Sequence, residues 1–389
     1  MKKIISSLII MIVLIISTSV VFADNIVSQD EEFTSYVQRA KVLEVNEFVL
    51  PEEDTYAEAI QEVKLEIKSG KYAGQVFETD NVLSGHPAFD IPVKPGDGVL
   101  VQIDEYVVGD VDVFVTDYQR DGYLKWLVIL FIAVLVIVGQ MKGIKTVITI
   151  GVTLLMVWKV ILPSILAGMN PIPVTVFSCI VITVLTILLV SGLKKKSIAA
   201  IIGTISGVLI AGGIAYIIGL RVKMTGMSTE EATMLLYIPQ GIQFNFKALL
   251  FSGILLGALG AVMDVAMSIA SSIEEVYKAN CTLTRGELFS AGMEVGKDVM
   301  GTMSNTLILA YTGSSIPLLL LFMAYDTPAV RMINLDIIAT EIIRSLSGSI
   351  GLVLTIPLTA VVTVLLLKPE PMTSSVHNGD EPLPEPAEG

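Results

Sequence analysis

The sequence predicts an α-helical polytopic membrane protein of about seven spans, preceded by a small exported all-β domain of the OB-like barrel type. Two observations lead to this prediction. Residues 123–368 contain several uninterrupted apolar runs of membrane-crossing length, whereas a soluble chain breaks such runs often. Residues 24–122 instead alternate apolar and polar residues in short segments separated by Gly, Pro and Asp, which is the pattern of strands.

The amino terminus, residues 1–23, has the order of a secretory signal peptide. Two lysines precede the apolar stretch Ile4–Val21, and Ala23 completes a small-residue cleavage pattern. An uncleaved signal anchor is the alternative, because the apolar stretch is long. In both cases the chain from Asp24 onward is exported.

Residues 24–122 are expected to form one β domain. The alternation predicts five strands in fewer than 100 residues, which favours a closed or half-open barrel. The chain has a net charge of −13 and no cluster of basic residues in this region, so we exclude nucleic acid as a partner. The predicted strands are Tyr36–Val45, Ala59–Gly70, Tyr72–Thr79, Gly96–Tyr106 and Gly109–Tyr118.

The membrane domain is expected at residues 123–368. Lys and Arg are more frequent in the loops that lie in the cytosol if the β domain is outside, as in the run Lys194–Lys196. This orientation agrees with the signal peptide and places the acidic, Pro-rich tail 369–389 in the cytosol, where its composition predicts disorder. The predicted spans are Tyr123–Met141, Thr146–Gly168, Ile172–Leu193, Ser197–Leu220, Ala248–Ser271, Gly301–Ala324 and Ile337–Leu367.

Small residues recur every three or four positions in the fourth and fifth spans, which allows close approach of another helix. We expect packing seams here rather than a direct role in function. The residues are Gly203, Gly207 and Ala211 in the fourth span and Gly253, Gly257 and Gly260 in the fifth.

Asp264 lies inside the fifth span, where an ionisable side chain costs about 2.5–3.5 kcal/mol on insertion scales. Helical spacing places Ser268, Ser271 and Glu275 on the same face. Such a polar stripe in a membrane helix predicts an ion pathway or a polar contact with another helix.

A second polar stripe occupies the next helix. Thr284 and Glu287 form a capping box, so a helix is expected to begin there and to run into the sixth span. Because the two helices are joined by a short loop, we expect their stripes to face each other and a water-filled cavity. The second stripe consists of Glu294, Asp298, Gly301, Asn305 and Thr312, with Lys297 beside it.

Three interpretations of these residues remain open. Glu294 and Lys297 could belong to a solvated face outside the hydrocarbon. The carboxylates could instead bind a cation or exchange a proton, with Asp264, Ser268, Glu275, Asp298, Asn305 and Thr312 as the binding candidates. Asp264 and Asp298 could also form an aspartyl dyad, although the sequence around them lacks the motifs of intramembrane aspartyl proteases. Secondary candidates in the last span are Glu341 and Arg344, three residues apart and able to pair.

Other catalytic chemistry has no motif in the sequence. There is no phosphate-binding glycine loop, no His-Glu-x-x-His and no Cys-x-x-Cys. The two histidines, His86 and His377, lie outside the predicted spans, so a Ser–His or Cys–His pair is not available within them. We therefore predict no catalytic residue, no metal site and no cofactor.

Two segments resemble the YibE/F-like bacterial membrane proteins, namely GALGAVMDVAMSIASSIEEV and GMEVGKDVMGTMSNTLILAYTG. The resemblance also extends to the order of a signal peptide, a small exported β domain and a multi-span region. It implies a multi-pass protein of the bacterial plasma membrane and assigns no reaction.

Two functions follow as hypotheses. The first is a transporter or channel-like permease with a carboxylate-lined site for a cation or proton. The alternative is a non-catalytic subunit of a membrane complex whose exported β domain binds an envelope protein. An intramembrane aspartyl hydrolase is a more distant third. The bilayer is the expected partner in each case, and the sequence leaves the substrate and the oligomeric state open.

Overall fold

The structure is a computed structural model and describes residues 33–49, 57–106, 110–238 and 241–367. The predicted signal peptide and acidic tail lie outside these residues. Contacts divide the chain into two units, one ending at Ile137 and the other beginning at Val138, and each unit is described by itself.

The first unit contains a five-stranded antiparallel sheet with the order β3-β2-β1-β4-β5. The long central strand pairs with β2 through its second half and with β4 through its first half. The strands are β1 Phe33–Val49, β2 Ala59–Ile67, β3 Val76–Leu83, β4 Gly98–Tyr106 and β5 Val111–Tyr118.

The sheet curls into a half-barrel, which confirms the predicted fold of this domain. The Thr79 hydroxyl of β3 donates to the Val113 carbonyl of β5, so the two outermost strands meet. Alternate residues such as Leu65 and Val101 are buried inside the curl, as the period of two predicts. The third strand begins four residues later than predicted, because the chain turns before it and Gly74 adopts a φ of +87°.

The chain continues as a series of helices. Within the described residues, five segments are long and apolar enough to cross a membrane, and the count is six if a pair of helices bent by 57° is taken as one span. The helices are α1 Asp121–Met156, a π-helical turn Val157–Ile161, α2 Leu162–Leu166, α3 Pro171–Ser191, α4 Lys195–Arg221, α5 Glu230–Met234, a 3-10 turn Leu235–Tyr237, α6 Phe246–Ala279, α7 Arg285–Ser314, α8 Ile316–Ala324, α9 Ala329–Ile333 and α10 Asp336–Leu366.

The first segment, Asp121–Leu166, lies where the sequence predicts two spans. Its 46 residues would extend about 69 Å as one helix, more than twice the roughly 30 Å of a bilayer core. Gln140 interrupts the helix with φ 48° and ψ −128°, close to where the sequence predicts a loop between two spans. The described helices give five or six membrane-crossing segments, so the count of about seven stays a prediction.

Helices α4, α6 and α10 form the centre of the second unit. Gly203 and Gly207 of α4 lie directly against α10, and a Cβ on Gly207 would overlap the Thr355 hydroxyl. This confirms the predicted seam in α4. The corresponding prediction for α6 is wrong for Gly253 and Gly260, because a methyl group added at either position would have no described residue of another helix within 4 Å.

Candidate functional site

The packing of α7 sets the depth of its polar residues. Gly296 faces Ile356 of α10, and further along α7 Leu307 approaches Gly348, so the two helices run antiparallel. Because α10 is itself long enough to span the membrane, its central residues mark the middle of the bundle. Asp298 and Asn305 of α7 lie at that level, between the two contacts.

Asp264 lies near the midpoint of α6 and faces a cavity of about 400 Å³. The cavity is bounded by the second half of α1, by α3 and by α6. Four of the side chains around it are threonines. Its lining residues are Thr146, Thr149, Ile150, Thr153, Leu154, Thr186, Ile187, Val190, Gly260, Met263, Asp264 and Met267.

The hydroxyl groups of the α1 threonines donate their protons to backbone carbonyls of the same helix. The hydroxyl of Thr149 donates to the carbonyl of Thr146 at 2.8 Å, and that of Thr153 donates to the carbonyl of Thr149 at 3.0 Å. Thr146 donates in the same way to Lys142, also at 3.0 Å. Each hydroxyl oxygen therefore keeps lone pairs that can accept a hydrogen bond or bind a cation.

The Asp264 carboxylate has no hydrogen bond and no ion pair with any described residue. It is exposed to the cavity rather than enclosed by protein atoms. A cavity of this size has room for on the order of ten waters at about 30 Å³ each. Water or a cation in the cavity would stabilise the ionised carboxylate at this depth, and uptake of a proton would remove its charge.

The rest of the predicted stripe on α6 does not reach this cavity. Ser268 is exposed, and Glu275 pairs with Lys278 at 2.8 Å near the end of the helix. Neither residue is part of the lining. Of the first stripe, the structure brings only Asp264 into the site.

The stripe on α7 points away from α6. Asp298 follows Gly296 by two residues, which is about 200° around the helix from the face that packs against α6 and α10. Asp298, Asn305 and Thr312 are all exposed, and Glu294 pairs with Lys297 at 3.1 Å. The described structure therefore does not bring Asp264 and Asp298 together, and an aspartyl dyad gains no geometric support.

Glu341 and Arg344 form a second polar cluster. Their side chains pair at 2.7 Å, which confirms the pairing predicted from their spacing. The Arg344 guanidinium lies 5.9 Å from the ring of Tyr311, and a Cβ on Gly257 would lie 2.7 Å from the Tyr311 hydroxyl. Gly257 precedes Asp264 by seven residues, so this cluster lies about 10 Å from Asp264 along α6.

Two features of the bundle were not predicted from the sequence. The threonines of α1 follow one another by three and four residues, a helical spacing that could have indicated a polar face opposite Asp264. The ion pair between Lys196 of α4 and Glu274 of α6, at 2.7 Å, has no local signal, because the residues are far apart in sequence. Its side chains are only 15% and 12% exposed, so it ties the two helices together in a sheltered position.

The groups that line the cavity are suited to binding an ion. One carboxylate and several hydroxyl oxygens suit a proton or a hard cation, which prefers oxygen ligands. Within the described ranges no three His, Cys, Asp or Glu residues lie close enough to hold a metal ion together.

Comparison with known proteins agrees with this architecture. The family model described as "YibE/F-like protein" matches residues 127–369, and that described as "YibE/F family N-terminal domain" matches residues 34–118. No curated protein and no solved structure matches the chain. The first match covers the helical region and the second covers the half-barrel, so the chain belongs to the YibE/F-like family.

Proposed function

We propose that this membrane protein carries a monovalent cation or a proton across the bilayer, with Asp264 as the binding group. The proposal rests on the Asp264 carboxylate, which has no partner among the described residues and lies near the midpoint of α6 in a threonine-lined cavity. Ionisable residues are rare at this depth and commonly mark ion and proton pathways.

The composition of the lining favours a singly charged ion. A bound monovalent cation would neutralise Asp264, whereas a divalent cation would leave a net positive charge in a region of low dielectric constant. The described residues that line the cavity include no Lys or Arg, so an anion would meet only the negative charge of the carboxylate.

The alternative, a membrane subunit whose β domain binds an envelope protein, has one observation in its favour. Phe48, Ile60 and Val82 are paired across β1, β2 and β3, so their side chains lie side by side on one face. Phe48 and Val82 are 52% and 56% exposed. Ile60 between them is half-buried, and a cluster of apolar side chains at the surface of a small domain can serve to contact another protein.

The test is ion flux into proteoliposomes that contain the purified protein, measured separately with Na⁺, K⁺ and proton gradients. Asp264→Asn keeps the size of the side chain and removes its charge, so flux should fall about tenfold or more, the equivalent of at least 1.4 kcal/mol of ion binding. Its thermal stability should equal or exceed that of the parent, because an unpaired charge has been removed from the bundle.

Glu275→Gln is the matched control. It changes an acid of the same helix and the same stripe that lies outside the cavity, so flux should be unchanged. A parent without flux under all three gradients, or Asp264→Asn with the flux of the parent, would contradict the transport proposal and favour the subunit alternative.

A further inference from the structure

The outward face of α7 is polar at a depth where lipid would otherwise surround it. Asp298 and Asn305 lie level with the middle of α10, and their side chains have no hydrogen bond to any described residue. Polar side chains in membrane helices commonly face another helix or a water-filled cavity. Neither is provided by the described part of this chain, since both residues are exposed.

The same face is shaped for close helix contact. Gly301 lies between Asp298 and Asn305 on the stripe, and a methyl group added there would have no described neighbour within 4 Å. A small residue at such a position lets a second backbone approach closely and brings flanking polar groups within hydrogen-bonding distance.

The chemistry of the stripe is self-complementary. Copies inserted in the same orientation and related by a twofold axis normal to the membrane place identical residues at equal depth. The Asn305 amide both donates and accepts, so two of them can bond to each other. Lys297 flanks the stripe next to Asp298, and its ammonium pairs with the exposed Glu294 of its own helix. Each lysine can therefore exchange this exposed partner for the Asp298 carboxylate of the other copy and offset the repulsion between the two carboxylates.

We propose that the stripe Glu294–Asp298–Gly301–Asn305–Thr312 of α7 binds the same stripe of a second copy of this chain, forming a twofold dimer. The proposal is independent of ion transport through the Asp264 cavity, which lies on other helices of the bundle. It assigns to Asp298 and Asn305 a role in assembly.

Cysteine cross-linking of the full chain in membranes tests the proposal. The two native cysteines, Cys179 and Cys281, are free and are first replaced by Ala and Ser. Gly301→Cys then places one thiol on the stripe, where there is space for it. Ile350→Cys is the control, because Ile350 is exposed at the same depth on α10.

Gly301→Cys should give a cross-linked species of twice the monomer mass, and Ile350→Cys should remain monomeric. Thr312→Cys, on the same stripe, repeats the test if Gly301→Cys is poorly folded. A second experiment measures the mass of the untagged parent and its Asn305 variants in nanodiscs. Asn305→Leu should weaken dimer formation about tenfold relative to the parent, since hydrogen bonds between membrane helices contribute about 1–2 kcal/mol in model peptides. Asn305→Gln keeps an amide and should retain most of the dimer formation seen in the parent.

Three outcomes would overturn the dimer. Equal cross-linking at Ile350→Cys would show collisions rather than a defined face. An adduct of another mass would show that a different protein covers the stripe. If Gly301→Cys and Thr312→Cys both remain monomeric, water or lipid covers the stripe.

Discussion

Gly207→Ala gives a sharp test of how closely α4 and α10 approach. A methyl group at this position would overlap the Thr355 hydroxyl and would lie 2.9 Å from the Val262 side chain and 3.1 Å from the Gly351 carbonyl oxygen. The neighbours belong to two different helices, so the new atom cannot be accommodated by moving one side chain. Overpacking of this kind costs about 1–3 kcal/mol.

The net effect is smaller, because alanine is the better helix former. Replacing glycine in a helix interior gains about 0.8–1.0 kcal/mol, so Gly207→Ala should destabilise the protein by roughly 0–2 kcal/mol. Gly253→Ala is the matched control, since Gly253 is also helical but has no described atom within 4 Å of the added methyl position. It should stabilise by up to about 1 kcal/mol. The difference between the two variants isolates the packing cost.

Thermal unfolding of both variants in detergent, side by side with the parent, measures this difference. Adding Thr355→Ala to Gly207→Ala removes the overlapped hydroxyl, so the double variant should lose less stability than the sum of the two single changes. Equal melting temperatures for Gly207→Ala and Gly253→Ala would refute the close approach of α4 and α10.

Three further predictions concern other parts of the chain. Lys196→Met should destabilise the protein by no more than about 3–5 kcal/mol in thermal unfolding, because Lys278 remains 3.4 Å from Glu274 and partly compensates. A reporter that is active only in the cytosol should work when it is fused after Lys196 and stay silent after Gly122; the reverse pattern would invert the proposed orientation. Hydrogen bonds from Ser84, first from its backbone N–H and then from its hydroxyl, together with the neighbouring N–H groups, lower the pKa of Asp90. The ionised Asp90 therefore stabilises the protein at pH values above its pKa in the unfolded chain, and this stabilisation is lost as pH falls through its pKa in the folded protein. In thermal melts from pH 7 to pH 3, Asp90→Asn should show a smaller loss of stability towards acid pH than the parent.

The coarse architecture could be predicted because it depends on local pattern. Strand alternation, apolar runs and the Thr284 capping box all lie within a few residues of one another, and the structure confirms the half-barrel, the spanning helices and the helix beginning at Arg285. The pairing of Glu341 with Arg344 was predictable for the same reason, since helical geometry places residues three apart on one face.

The composition of the candidate site was predictable only in part. Asp264 was identified because an acid inside an apolar run is costly wherever the helix packs. The threonines of α1 and α3 around it were missed, because threonine is tolerated in a membrane helix and gives little signal by itself. The two polar stripes do not meet as predicted, because the rotation of α7 about its own axis turns its stripe away from α6. Covalent connection makes α6 and α7 neighbours but does not decide which face of α7 turns towards α6.

Local sequence pattern was sufficient to establish which segments are able to cross a membrane, where the β domain lies and which polar residues sit among apolar ones. These properties follow from the cost of burying polar groups and from local backbone geometry, both of which act within a few residues. Helix packing was needed to show that Asp264 faces a cavity while Asp298 faces outward. That outcome depends on side-chain volume at distant positions: Gly292 and Gly296 accept Ile273 and Ile356, and this fit fixes the rotation of α7 and turns its polar stripe away from the bundle.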